Sequence, residues 1–231
     1  MRSDQMWEAL AGQGVERRFA AGAVMLRQGA PGTHLLVLSA GLTKVIQHRP
    51  DGTCLWLAFR GPGELLGEVS VLSKGRLARG ADVVAVTGCV TRVLHADWFR
   101  RFVQANRLEA ELLDHAMEKT RESDEHRAEL VTLSVPERLA RTLLRLSGLA
   151  ESRQLAGLTQ EELAQAVGSS RNSVAEALQH LRDAGAVTTA RRIIDIIDPG
   201  TLGAWAGYAC LHARHREAKP CALCRRPGMA S

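Results

Sequence analysis

The chain has 231 residues, 45% apolar, 24% charged and only 4% aromatic, with a formal net charge of +5. That is long enough for two domains, and no apolar run approaches the ~20 residues that span a bilayer. The opening MRSDQMWEALAGQG lacks the apolar core of a secretory leader, so a cytoplasmic protein without a membrane partner is expected.

A pI near 9.3 suggests nucleic acid, but the charge is unevenly placed. Residues 1–136 hold 17 basic and 16 acidic side chains, residues 137–200 hold eight of each, and residues 201–231 hold five basic and one acidic. Any DNA contact before the tail must therefore rest on individually placed arginines rather than on bulk charge. The five cysteines, Cys54, Cys89, Cys210, Cys221 and Cys224, are odd in number and scattered, unlike a disulfide framework.

Residues 1–105 read as a small β domain. Apolar runs at Ala23–Arg27, His34–Ser39, Leu42–His48, Thr53–Phe59, Asp82–Ala85 and Cys89–Leu94 alternate with turns such as Pro50–Gly52. That spacing predicts an all-β roll or barrel. Helical structure begins near Asp97. Within the roll, Gly67-Glu68-Val69 precedes a short apolar stretch, and Arg79-Gly80-Ala81 leads into the next strand. A helix start near an arginine suits one phosphate, and a carboxylate can accept from ribose hydroxyls. Surface Glu and Arg are also commonplace.

Residues 106–134 contain an uninterrupted helical stretch, Leu108 to Leu133, without Gly or Pro. Leu113, Ala116, Thr120, Ser123, Arg127 and Leu130 alternate at spacings of three and four, a coiled-coil period with a polar middle. The alternatives are a dimer helix or a solvated helix packed by its other faces. Ser134-Val135-Pro136-Glu137 then reads as a capping box opening a new helix, which Gly148 is expected to end.

Residues 135–200 carry the strongest pattern. After a loop over Glu151–Gly157, Thr159 and Glu162 form a second capping box. Leu163, Ala164 and Val167 give an apolar stripe, and Gly168 supplies a left-handed turn. Ser169 or Ser170 caps another helix whose inner face is Val174, Ala177, Leu178 and Leu181. This is a helix-turn-helix. A hairpin follows, Ala186–Thr189 and Ile193–Ile197 about Ala190-Arg191-Arg192, in the position of a wing. Ser170 and Ser173 suit phosphate oxygens, with Ser169 beside them at the groove or backbone. Arg171 can pair with guanine and Asn172 with adenine, while Glu176 would repel phosphate unless it accepts from cytosine. Arg191 and Arg192 suit phosphates at the wing tip.

The tail, residues 201–231, holds Cys210, His212, His215, Cys221 and Cys224, which could ligate zinc or be incidental in a basic tail that strengthens DNA binding nonspecifically. No nucleophile–base–acid grouping or hydrolytic loop marks an enzyme.

Over residues 15–200 the chain resembles the CRP/FNR family of bacterial transcription regulators. The similarity rests on FAAGAVMLRQGAPGTHLLVLSAGLTKVI, the Gly67-Glu68 and Arg79-Gly80-Ala81 segments, and the winged helix-turn-helix, all in family order. The resemblance implies an α+β architecture: an N-terminal cyclic-nucleotide-binding β-roll, a dimerisation helix and a C-terminal winged helix-turn-helix. It implies a homodimer on a near-palindromic DNA site, with RNA polymerase as a further partner and cyclic AMP or another cyclic nucleotide as effector. It puts Glu68 on the ribose 2′-hydroxyl, Arg79 on the phosphate, with Gly67, Gly80 and Ala81 lending backbone, and Ser123 and Asp124 on the base. Val69 stands where the family usually has Leu, and Gly80 where it has a phosphate-binding Ser or Thr. The family's cluster cysteines lie near the N-terminus, and the first cysteine here is Cys54, which argues against an iron–sulfur sensor. The competing function is an architectural DNA-binding protein whose roll serves only dimerisation.

Overall fold

The computed structural model describes Leu10 and residues 12–73 and 76–207, and these divide into two compact units, 1–128 and 129–231. In the first unit, β1 (Val15–Phe19), β2 (Val24–Leu26), β3 (His34–Ala40), β4 (Thr43–His48), β5 (Cys54–Arg60) and β6 (Glu64–Leu66) come first. Helix α1 (Glu68–Leu72), β7 (Asp82–Ala85), β8 (Cys89–His95) and α2 (Ala96–Asn106) follow. The strands form two antiparallel sheets, ordered β1–β8–β3–β6 and β2–β7–β4–β5.

Strand β3 holds the unit together because both of its faces are buried. Leu36 and Leu38 join Met25, Leu26, Leu66, Val83 and Ala85 between the sheets. Leu35 and Val37 point the other way, packing with Leu65, Val71, Leu94, Phe99 and Val103 under α2. A strand covered on both faces is apolar at successive positions rather than alternately, which is why its LLVL run is continuous. Each such Leu contributes ~1.5–3 kcal/mol by burial.

Two strands escape the apolar-run reading. Nearly all of β1 is exposed, so its sequence carries no alternation, and β6 is only three residues long, too short for a period to show. Helix α3 (Glu109–Thr132) fills the predicted stretch. Leu113 and Met117 on it are 60% and 62% exposed.

In the second unit, α4 (Val135–Ala150) begins with the expected reciprocal cap between Ser134 and Glu137. Gly148 does not end it. The helix passes through and stops at Glu151, whose backbone is left-handed at φ 48°. Leu143 and Leu146 are fully buried, and their burial outweighs the ~1 kcal/mol that a helical glycine costs. The segment read as a loop contains β9 (Gln154–Ala156), which pairs with a wing strand. Only Leu155 of the three is buried, so again no period was available.

Helices α5 (Gln160–Ala166) and α6 (Arg171–Asp183) form the helix-turn-helix, and β10 (Val187–Ala190) and β11 (Ile193–Ile196) the wing. Helix α7 (Pro199–Trp205) runs past residue 200, where the tail was expected to start, because Leu202 and Ala206 are buried. The ligand candidates Cys210, His212, His215, Cys221 and Cys224 lie outside the described residues. Among the described residues no helix is long and apolar enough to cross a membrane.

The α5–α6 turn depends on Gly168. Its φ is +59°, and an added Cβ would lie 2.8 Å from the Leu130 side chain. Gly168→Ala should therefore lower stability by about 1–2 kcal/mol for the left-handed backbone alone, with Leu130 adding to it. The midpoint of urea unfolding measures this, and an unchanged midpoint contradicts it.

Candidate effector cavity and nucleic-acid interface

A cavity of about 380 Å³ opens in the first unit, within the range of small-ligand sites. Its wall brings together Gly67, Glu68 and Val69 from the start of α1, Arg79, Gly80 and Ala81 before β7, and Ser123 from α3. Residues separated by some fifty positions in the chain thus meet. Asp124 does not line this cavity. One residue along a helix is a rotation of about 100°, and Asp124 is exposed with its carboxylate 3.0 Å from Arg127 Nη1.

Arg79 is 6% exposed. Its Nη2 donates to the His34 carbonyl at 2.6 Å, while its Nη1 is buried with no hydrogen-bond partner. Burial lowers the pKa of this guanidinium and Glu68 opposes that shift; burial, followed by Arg79, lowers that of His34. Buried donors are rarely left unpaired, so an unmet guanidinium N–H at a cavity wall calls for an acceptor, and an anionic oxygen is the strongest. Gly67 makes room for the guanidinium: at φ +83°, any Cβ there would fall 2.1 Å from Arg79 Nη1.

Glu68 is 8% exposed and is held from the far side by Lys119, whose Nζ lies 2.7 Å from Oε1 and donates to the Leu65 carbonyl at 2.7 Å. Lys119 is also 3.8 Å from Glu64. Glu64 pairs with Arg60 at 3.4 Å, yet its pKa is raised, by desolvation first and by the carboxylates of Glu122 and Glu68, against Arg60 and Lys119. Gly80 is exposed, and its carbonyl accepts from Gln47 Nε2 at 3.2 Å. Ser123 Oγ donates to the Lys119 carbonyl at 2.9 Å.

Lys119, Arg60 and Gln47 line the cavity without having been singled out in the sequence. Lys119 left one signal: it lies four residues before Ser123 and so shares its helical face. Arg60 and Gln47 left none, since only strand pairing brings them in.

In the second unit the helix-turn-helix presents a polar edge. Ser170 caps α6 by accepting from Ser173 N at 3.1 Å, and the two hydroxyls are 2.9 Å apart. Arg171, Asn172 and Glu176 are exposed, and Ser169 and Ser173 partly so. Behind them Val174, Ala177, Leu178 and Leu181 are buried. The wing turns at Arg191-Arg192, both exposed, with Arg192 at φ 59°. Arg182 ties helix to wing by donating to Thr189 Oγ1 at 2.9 Å. A groove lined by Thr159, Gln160, Arg171, Arg191 and Arg192 lies between them.

The chain matches the cyclic nucleotide-binding domain over residues 16–106 and the Crp-like helix-turn-helix domain over residues 137–205. It is 30% identical over 192 residues to a CRP-like cAMP-activated global transcriptional regulator of Mycobacterium tuberculosis, covering 80% of this chain and 84% of that one. The chain belongs to the CRP/FNR family. A transcriptional regulator of the CRP family from Thermus thermophilus has a crystal structure matching at TM-score 0.67 and 28% identity, over 83% of this chain and 96% of that one. FixK2 of Bradyrhizobium japonicum shares the fold at TM-score 0.72 with 16% identity, over 84% and 97% of the two chains. The α+β fold of a ligand-binding β domain followed by a DNA-binding helix-turn-helix is thus that of a transcription regulator, and the relatives are regulators rather than enzymes.

Lys119→Met leaves Glu68 buried beside Arg79 alone. Unfolding stability should fall by about 2–3 kcal/mol, below the ~3–5 kcal/mol of a fully buried broken pair. Adding Glu68→Gln should restore most of it in a urea double-mutant cycle; simple additivity would mean the pair is not coupled.

Proposed function

We propose that this protein is a homodimeric, sequence-specific transcription regulator whose DNA binding is controlled by a cyclic nucleotide in the cavity of the first unit. The observation that carries this reading is the buried Arg79 Nη1 without a partner, facing a cavity that also holds Glu68. The cyclic phosphate supplies the missing acceptor, and the Gly80 and Ala81 backbone supports it. Glu68, fixed by Lys119, accepts from the ribose hydroxyl. Val69 lies along the sugar, and Ser123 reaches a base edge. Asp124 belongs to the exposed face that a second chain meets. Leu113 and Met117 supply apolar area for that meeting, since large exposed apolar side chains in a row mark an interaction surface.

DNA is read by α6. Arg171 and Asn172 address bases, Ser169, Ser170 and Ser173 the backbone, and Arg191 and Arg192 a flanking phosphate. Twin helices then sit in successive major grooves of a near-palindromic site, and Glu176 shapes which bases are accepted. The architectural reading, without an effector, draws support from Gly80, which offers no hydroxyl, and from Lys119, which already occupies one side of Glu68.

Titration calorimetry with cyclic AMP and cyclic GMP decides between the two. Saturable heat, with a change in operator affinity in footprinting, is expected; no heat and no change favours the architectural protein. Gly80→Ser has open space for its side chain and restores a hydroxyl to a charged group, a bond worth ~1.5–3 kcal/mol. It should tighten nucleotide binding about tenfold or more. Arg171→Ala should weaken specific operator binding by ~1–3 kcal/mol in a gel-shift titration, and unchanged affinity would remove Arg171 from the reading role.

A further inference from the structure

On the outer edge of the first unit, three side chains that neither the cavity nor the DNA interface uses stand in line. Cys54 and His48 are directly opposite each other in the β4–β5 ladder, and Cys54 Sγ is 3.2 Å from His48 Nδ1. The other ring nitrogen, Nε2, is 3.2 Å from Asp82 Oδ2. Asp82 has a side-chain exposure of only 10%, and its second oxygen accepts from Gln28 N at 2.6 Å. Gln28 also grips the His48 backbone with both ends of its amide, accepting from His48 N at 2.7 Å and donating to His48 O at 2.9 Å.

One tautomer of His48 satisfies both contacts. An ionised Asp82 accepts from Nε2–H, which leaves Nδ1 as the acceptor of the Cys54 thiol proton. Nucleophile, base and orienting carboxylate are therefore in the order that activates a thiol, a grouping that the sequence does not show because strand pairing creates it, and Cys54 is exposed. Open to solvent on its strand, the thiol suits modification of the protein rather than turnover.

We propose that Cys54 is a reactive thiol that takes a mixed disulfide from a small disulfide in solution. His48 Nδ1 removes the thiol proton, and the thiolate attacks one sulfur of the disulfide. A new sulfur–sulfur bond forms to Cys54, the original one breaks, and the departing thiolate takes the proton back from His48. The disulfide is the oxidant and leaves half of itself reduced. Modified Cys54 would sit on the strand beside β4, whose Gln47 holds the Gly80 carbonyl at the cavity wall.

The test uses the full chain with oxidised glutathione at pH 7 and peptide mass spectrometry. Glutathione should appear on the Cys54 peptide, while Cys89, 2% exposed and with its thiol pushed up by burial to about 11, stays unmodified. His48→Asn and Asp82→Asn, each checked for native circular dichroism, should slow the reaction about tenfold, and added imidazole should restore rate to the His48 variant. Absence of label on Cys54, or equal rates in wild type and both variants, overturns the proposal. A slowed His48 variant that imidazole does not restore overturns the role of His48 as base.

Discussion

A carboxylate removed from water must be compensated, and Glu68, 8% exposed, is compensated from two directions. Lys119 reaches it from α3 at 2.7 Å, and Arg79 lies across the cavity, where Glu68 works against the desolvation of the guanidinium. The start of α1 and the middle of α3 are thereby held to one another by an ion pair. Around them Arg60 pairs with Glu64 and Glu122, so three cations meet three carboxylates, and Arg79 Nη1 is left without a hydrogen-bond partner.

The same cluster reaches into α3. Lys119 and Ser123 line the cavity, so an occupant changes the partners available to α3 itself. That helix continues through Thr132, beyond the boundary between the two units. At its far end Glu129, 7% exposed, meets Arg141 and Arg145 of α4 at 3.2 and 2.7 Å. One helix therefore has buried ionic anchors in both units. A ligand can shift such an element only by its difference in affinity for two arrangements, and contacts made directly to α3 are where that difference can arise.

What the sequence disclosed follows from how local each signal was. The capping pairs Ser134–Glu137 and Thr159–Glu162 span three residues and appear in the structure as read; Gly168 and the apolar stripes of α5 and α6 are as local. Tertiary burial carried helix α4 through Gly148, and pairing with β11 made a strand of Gln154–Ala156, neither of which a short window can reveal. For the cavity, Glu68 and Arg79 stood out through family likeness rather than chemistry, since isolated surface-type residues do not announce a site. Lys119 and Arg60 come from segments whose proximity only the fold creates. Asp124 shows the remaining limit: a helix assigned correctly still leaves each neighbouring residue a different direction.

The DNA-binding unit shows how little of a protein's charge is free to act. Between residues 137 and 200 there are eight arginines and eight acidic residues. Arg138 donates to the Leu130 carbonyl, Arg141 and Arg145 hold Glu129, and Arg182 braces the wing through Thr189. Half of the arginines thus have structural partners, and Arg153, Arg171, Arg191 and Arg192 remain exposed. Nonspecific affinity scales with the number of phosphates neutralised, and four cations among eight acidic residues neutralise few. On the proposed function, discrimination by this unit would fall to the polar edge of α6, with Arg171 and Asn172 addressing bases and Glu176 penalising those that offer no donor. On the function proposed above, a second copy on a near-palindromic site would double those few specific contacts, which is what a unit of this composition gains by pairing.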